Sequence, residues 1–304
     1  MNRSITSQGS TAKRKSEYSA SWLLWVSVLV LLAVYFGAPI LWLLAAPTKL
    51  DGELLSLPSL AIGDVRNYAQ AWANLLTYGK GVVLLWAQNS AMYTISSVFL
   101  SVIVSVPAGY ALATSQFAGR RLIMTLTLIT MILPGSAMVL PLFLEMNQFG
   151  LIDTPWAVIV PAMFYPFGVY LAYVHFSTAI PKDLLSAGRV DGCNEWQLFR
   201  YVGLPLARTL FALLSFLSFT SNWNNYFLPF VMLNDSKLFS LPVGLQVMAT
   251  STPMLNPTFA AENAVVRRPE AALIVLMLVV PVIIIFLVAQ RYIVRSALTG
   301  SLKD

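Results

Sequence analysis

The chain has 304 residues, of which 58% are hydrophobic and only 11% charged, with a formal net charge of +6. A soluble globular domain carries about 25% charged residues and could not bury this much apolar surface, so the bilayer is the expected solvent and helices or a closed barrel the expected fold. One cysteine (Cys193) and one histidine (His175) exclude a disulfide framework, a cysteine metal cluster and a histidine cage; no phosphate-loop or dinucleotide-binding glycine signature occurs.

Apolar runs of about twenty residues without two-residue alternation select helices over a barrel. The polar lead-in, residues 1–20, reads as a disordered cytoplasmic tail. The first span covers 21–46, and its apolar core is longer than the 7–15 residues of a signal peptide. Residues 47–89 are mixed and read as an external segment with a short amphipathic helix near 65–76. Spans follow at 90–115 and 121–144, joined by the basic turn Gly119-Arg120-Arg121, with Pro134, Gly135 and Pro141 interrupting the latter. A fourth span at 155–176 precedes the polar loop 177–205, a fifth covers 206–232 and a sixth 270–290. The basic tail is 291–304. The expectation is therefore an all-α membrane protein of six spans, with a transmembrane domain over 21–290.

Six spans put both termini on one side. If the N-terminus, the turn at 116–121, the loop at 177–208 and the tail all face the cytoplasm, that side holds 13 of the 19 Lys and Arg residues. By the positive-inside rule both termini are expected to be cytoplasmic. The same scatter of basic residues between apolar spans, without a single basic stripe, argues against nucleic-acid binding. It also makes 177–208 the largest cytoplasmic segment between spans, where a soluble partner can reach the protein.

Residues 181–205 read as two short helices and a turn. Pro181 suits the start of the first, Asp183 favours the positive end of its dipole, and Leu184, Ala187, Gly188 and Asp191 share one face. Gly192 falls where a helix ends in the left-handed conformation. Asn194 with Gln197 three residues on forms a capping-box pattern, and Trp196, Phe199 and Val202 form a stripe expected to lie against the spans. Leu204-Pro205 then turns the chain into the fifth span.

This loop resembles that of the permease subunits of ABC importers, E-A-A-x-x-x-G-x₉-I-x-L-P. Ser186-Ala187-Gly188 stands at the E-A-A position, Gly192 at the glycine, Val202 at the isoleucine and Leu204-Pro205 at the L-P, with spacing unbroken. Ser186 replaces the usual glutamate and Gly188 the second alanine. The run Trp223-Asn224-Asn225-Tyr226-Phe227-Leu228-Pro229 and the ending Ala289-Gln290-Arg291-Tyr292-Ile293-Val294 are similar to the carbohydrate-uptake branch, in particular its second, maltose-permease-like subunit.

The resemblance implies a type I ABC importer permease fold in the cell inner membrane. It implies a coupling loop made of Asp183, Ser186, Ala187, Gly188, Asp191, Gly192, Trp196, Phe199, Leu204 and Pro205. It also implies a second homologous permease, an ABC ATPase dimer that carries ATP and Mg, and an extracytoplasmic solute-binding protein. This chain itself is expected to bind no cofactor and no metal and to perform no bond chemistry.

Amides inside hydrocarbon are costly, so Asn222, Asn224 and Asn225, with Trp223 and Tyr226 beside them, read either as lining a polar path for a sugar or as hydrogen-bonding between helices. Tyr165, Phe167, Tyr170 and Tyr173 read as packing aromatics, His175 as an interfacial or partner-facing residue, and Glu145 as a solvated carboxylate. For the solute, a glycerol phosphate ester or a polyol stands beside a sugar. An ion-coupled secondary carrier is the rival mechanism, but it would need carboxylates within the spans, and mid-span acids are missing.

Overall fold

A computed structural model describes residues 8–250 and 267–300, and every regular element among them is helical. In chain order these are α1 (Gln8–Ala45), α2 (Glu53–Ser56), α3 (Val65–Thr77), α4 (Val82–Thr114), α5 (Arg120–Ile132), α6 (Gly135–Gln148), α7 (Trp156–Met163) and α8 (Pro166–Ala179). They continue with α9 (Lys182–Val190), α10 (Glu195–Leu198), α11 (Leu204–Leu206), α12 (Arg208–Trp223), α13 (Phe227–Met232), α14 (Leu241–Thr250) and α15 (Arg268–Gly300). Among the described residues four continuous stretches are long and apolar enough to cross a membrane, and two bent pairs raise the number to six if each pair is one span. The chain is an all-α membrane protein and divides into two compact units.

The smaller unit holds the residues up to 72 together with 268–273. Its organising group is Lys49, only 1% exposed. Lys49 Nζ donates to the carbonyls of Pro58 and Ser59 at 2.9 and 3.0 Å, closing the loop after α1. Thr48 Oγ1 accepts from Gly63 N at 2.8 Å, and a Cβ on Gly63 would collide with the Thr48 carbonyl. Arg268 pairs with Asp51 at 3.2 Å.

In the larger unit α4 is the axis, packed by α7, α8, α12 and α14. Its buried face carries Asn89, Ser90, Thr94, Ser97, Ser101 and Ser105, small polar side chains at helical spacing. In hydrocarbon, apolar burial gives no preference for helix over lipid, so close approach and hydrogen bonds must hold helices together. Both occur here. A Cβ on Gly109 would lie 2.7 Å from the Tyr173 backbone nitrogen, so only glycine lets α4 and α8 come this near. Ser101 Oγ and Ser218 Oγ meet at 2.8 Å between α4 and α12, and Ser90 Oγ accepts from Leu241 N at 2.7 Å at the start of α14. Asn89 Nδ2 donates to the carbonyls of Lys237 and Phe239, which fixes the connection that leads into α14.

The spans differ from the sequence expectation mainly at their breaks. The polar residues 8–20, expected to be disordered, continue α1, since no proline or glycine stands between Ser10 and Phe36. The second span begins at Val82, directly after the left-handed Gly81, and not at residue 90. The expected single span 121–144 is two helices at 113°, because Pro134 offers no N–H and holds Leu133 extended. Pro166 likewise separates α7 from α8 through Phe164 and Tyr165. The expected 206–232 span begins at Arg208, after a 76° bend, and its first helix stops at Trp223. The tail stays helical as far as Gly300, and its last residues lie outside the described ones.

One connection holds the end of the bundle opposite the 181–205 loop. Asp153 takes a left-handed φ of 61°, donates its N–H to Met232 O at 2.9 Å, and accepts the amides of Asn234 and Asp235 on Oδ1 at 2.8 and 2.9 Å. Those two amides hold its carboxyl below the usual carboxylate range. A depressed folded value stabilises the tether above the unfolded carboxylate pKa of about 3.9, and the contribution is lost as pH falls through the folded value. Hydrogen exchange, corrected for intrinsic rates, is therefore expected to show Asn234 and Asp235 protected at neutral pH and losing protection in that acid window. Asp153→Ala should abolish the protection at neutral pH while leaving α7 unchanged.

Candidate functional site

Two sites emerge in the larger unit, and the sequence had pointed to parts of both. The first is the 181–205 loop. α9 carries Asp183 in its first turn and Arg189 in its last, each suited to the helix dipole. It ends in a Schellman turn: Cys193 N donates to Gly188 O at 2.9 Å and Gly192 N to Arg189 O at 3.1 Å, with Gly192 at φ 83°. Cys193 thus sits on the turn and packs partly against the core beneath it. Asn194 and Gln197 then form the reciprocal capping box, both bonds at 2.8 Å. Arg189 and Glu195 tie the two helices across the turn at 2.9 Å, and that bond raises the guanidinium's pKa. The pair is exposed, so it orients more than it stabilises.

Burial sorts the loop into a root and an edge. Leu185, Leu198, Phe199 and Gly203 are buried in one cluster region with Tyr110 of α4, Phe176 of α8 and Leu210 of α12. Tyr110 meets Phe199 at 5.0 Å and Phe176 edge-on at 5.3 Å, and a Cβ on Gly203 would stand 3.0 Å from the Tyr110 ring. Residues 199–203 make a π-turn, the local widening that turns Phe199 inward and leads to Leu204-Pro205. The edge is formed by Asp183, Ser186, Ala187, Asp191, Gly192, Trp196 and Pro205, all exposed, with Gly188 and Leu204 half-buried.

The structure corrects one expectation about this loop, the inward place of Trp196, and adds two details. The anchoring side chain of α9 is Leu185; Leu184 is 45% exposed, because the helix meets the bundle one position further along. Of the expected stripe, Phe199 is buried and Val202 packs against the same core, but Trp196 is 64% exposed, its ring 5.5 Å from that of Phe199, and Leu198 takes the buried place. Gly188 has a packing reason: a Cβ there would stand 2.5 Å from Leu198 Cδ2, so an alanine would press on the buried root. Val190, 87% exposed, was not singled out from the sequence; an apolar residue at the last turn of a polar helix was the available signal.

The second site is a cavity of about 680 Å³. Its lining includes Leu133, Gly135 and Ser136 from the α5–α6 break, Phe164 and Pro166 from the α7–α8 break, and Ser221, Asn225 and Phe227 from the α12–α13 break. Three interruptions of regular helix thus converge on one space, as expected where freed backbone faces a cavity and not lipid.

Of the five candidate path residues only Asn225 lines this cavity; its Oδ1 accepts from Leu228 N at 3.4 Å. Asn222 bonds back to Ser218 and Asn224 to Thr220, each satisfied within α12. Trp223 is buried, stacks on Phe219 at 5.5 Å and donates to Leu278 O at 2.9 Å, which makes it a strut between α12 and α15. Tyr226 stacks on Phe230. His175, expected to be interfacial or partner-facing, is half-buried and bonds to Leu206 O at 3.2 Å.

A polytopic helical bundle with one structured loop rooted in its core and broken spans around an open cleft has the form of a membrane transport subunit. The family described as "binding-protein-dependent transport system inner membrane component" matches residues 105–298. The chain belongs to that family. It is 31% identical over 293 residues to the arabinooligosaccharides transport system permease protein AraQ of Halalkalibacterium halodurans, covering 96% of this chain and 99% of that one. It is 30% identical over 282 residues to the diacetylchitobiose uptake system permease protein NgcG of Streptomyces coelicolor, covering 91% and 87%. Its fold matches, with a TM-score of 0.74 and 24% identity over 95% of this chain and 99% of the other, a chain of a bacterial ABC transporter involved in import of the acidic polysaccharide alginate.

Replacing a buried root residue should cost far more than replacing an edge residue. Leu198→Ala is expected to lower stability by about 2–5 kcal/mol, as large-to-small core changes do. Trp196→Ala should stay within about 0.5 kcal/mol, as exposed changes do. Thermal unfolding of the purified protein in detergent measures both.

Proposed function

We propose that this chain is one of two permease subunits of an ATP-driven importer for a neutral sugar or oligosaccharide, and that the 181–205 loop is its handle for the ATPase. The observation that carries this reading is the division of the loop into a root interlocked with α4, α8 and α12 and an exposed edge. A soluble ATPase dimer holding ATP and Mg grips that edge, with Val190 and Trp196 as apolar contacts and Asp183 and Asp191 as charged ones. Because Leu198 and Phe199 are locked into the bundle, displacement of the loop becomes displacement of helices. The bundle then rocks between outward- and inward-facing states. The excess of Lys and Arg on the loop side supports placing it, and both termini, in the cytoplasm. An extracytoplasmic binding protein delivers the solute from the opposite side.

The cavity at the three breaks is the part of the path that this subunit contributes. Ser136, Ser221, Thr130 and Asn225 supply hydroxyl and amide groups, and Phe164 and Phe227 supply flat apolar faces. That mixture suits a sugar ring. None of the described residues lining the cavity is charged, which favours a neutral sugar over a phosphate ester. The relatives' arabino-oligosaccharide and diacetylchitobiose point the same way.

Gly192→Pro forces φ near −65° where 83° is needed, so the Schellman turn cannot form. The variant is expected to insert in the membrane and retain its spans but to lose ATP-dependent uptake of a radiolabelled sugar; undiminished uptake would remove the loop's coupling role. Within the cavity, Asn225→Leu should raise the KM for uptake, whereas Asn224→Leu should leave it within error. The reverse pattern would move the path away from the breaks.

A further inference from the structure

Just past the first span, the smaller unit presents apolar side chains on its surface. Leu57, Leu60 and Ile62 are 40, 53 and 75% exposed, and Leu50, Leu55 and Val65 are exposed in the same stretch of chain. Exposed apolar residues are ordinary when scattered singly, whereas a concentration of them in one short loop marks a contact. We propose that residues 50–65 lie in the headgroup layer of the leaflet where α1 ends, with Leu57, Leu60 and Ile62 entering its acyl region. This needs only that α1 crosses a membrane, and it is independent of how an ATPase or a sugar is engaged.

The loop is fastened to the end of the span. Trp22–Thr48 is a helical stretch of 27 residues, long and apolar enough to cross a membrane. At 1.5 Å per residue it rises about 40 Å, the thickness of a bilayer with its headgroup layers, so Thr48 ends among headgroups. The residues that follow are held at that level. Lys49 Nζ donates to the carbonyls of Pro58 and Ser59, Gly63 N donates to Thr48 Oγ1, and Asn67 Nδ2 donates to Thr48 O at 3.1 Å. Leu57 precedes Pro58, Leu60 follows Ser59 and Ile62 precedes Gly63. Each therefore stands one Cα step, about 3.8 Å, from a residue bonded to the end of the span. The last turn is itself covered: Ala45 to Lys49 are buried, while Leu41 and Leu44 just before them are exposed.

The charges of the loop suit an apolar contact. A lysine at a span end ordinarily extends its ammonium toward the interface, but Lys49 turns its own to two carbonyls within the unit. The carboxylates are engaged as well. Glu53 Oε2 accepts Leu50 N and Asp64 Oδ1 accepts Arg66 N, each at 2.8 Å, and Asp51 pairs with Arg268. Residues 50–65 contain three acids and no Lys or Arg, so attraction to anionic lipid does not hold them and burial of apolar area must. A soluble protein that docks and leaves would return these side chains to water in every cycle. Lipid is present throughout at the depth where α1 ends.

Site-directed spin labelling tests this in the complex in which the protein purifies, reconstituted in phosphatidylcholine vesicles. A nitroxide is placed at position 57, 60 or 62 in a Cys193→Ser background. Its relaxation by oxygen, which concentrates among acyl chains, is compared with relaxation by the water-soluble chelate NiEDDA. At all three positions oxygen should dominate and NiEDDA relaxation be largely lost, as at the exposed position 31 within the span. Vesicles with added phosphatidylglycerol should give the same ratio. Should a label disturb the loop, unlabelled complex treated with a phosphatidylcholine carrying a diazirine near the glycerol end of its chain should cross-link within residues 55–65. NiEDDA relaxation exceeding that of oxygen would put the loop in water and overturn the proposal. Shielding from both reagents, with no cross-links in 55–65, would overturn it in favour of a covering protein. An oxygen preference seen only with phosphatidylglycerol would overturn it in favour of headgroup charge.

Discussion

The burial of Leu185, Leu198 and Phe199 against Tyr110, Phe176 and Leu210 is the contact on which the rest of this molecule's behaviour depends. A polar loop between two spans is normally the softest part of a membrane protein, stabilised by little beyond its own turns. Here the loop has a core of its own, and that core is continuous with the helices. Gly188 and Gly203 permit it: each lies where a Cβ would press on a neighbouring ring or leucine, so the chain comes closer than any other residue would allow. The Schellman turn and the capping box fix the orientation of α9 and α10 within themselves, so that the buried side chains arrive as a rigid set. On the proposed reading, a force applied to the exposed edge passes through these buried side chains to α4.

The same economy of close contacts organises the spans. α4 is held to its neighbours by serine hydroxyls, amide bonds to the segment before α14 and the Gly109 approach to α8, beside the apolar contacts of Tyr93, Val106 and Tyr110. Around it, Pro134, Pro166 and the Asn224–Tyr226 segment interrupt three spans, and the interruptions face one another across a single cavity. Continuous helices would satisfy their backbones internally and enclose no such space. The breaks therefore give the bundle an open cleft with a few polar groups, Ser136, Ser221 and Asn225 among them, and places where halves of spans can shift against each other.

Much of this was legible in the chain. Length and polarity of the apolar runs gave an all-α membrane protein, Pro134 and Gly135 marked one break, and the spacing from Ser186 to Pro205 gave the loop, its capping box and its Gly192 turn. What was not legible depends on partners distant in sequence. Leu185 rather than Leu184 faces the bundle because of where α8 delivers the chain, which no local pattern encodes. Trp196 was placed in one stripe with Phe199 and Val202, yet of the three it alone is exposed, and Leu198 is buried in its stead. The amides of α12 were correctly recognised as expensive in hydrocarbon, but Asn222 and Asn224 find acceptors four residues back on their own helix, and only Asn225, past the helix end, reaches the cavity. For Trp223 the sequence left a sugar path and bonding between helices both open, and its indole N–H to Leu278 O, 55 residues away, is the second.

The central claim is that the loop and the bundle move as one body. Spin labels at position 190 on the loop edge and position 224 at the far end of α12, in a Cys193→Ser background, measure it by pulsed electron paramagnetic resonance in the assembled transporter. The account predicts the same 190-to-224 distance in nucleotide-free and ATP-bound states, while the separation between the loops of the two permeases changes. A 190-to-224 distance that shifts with nucleotide, the loop swinging free of α12, would contradict it.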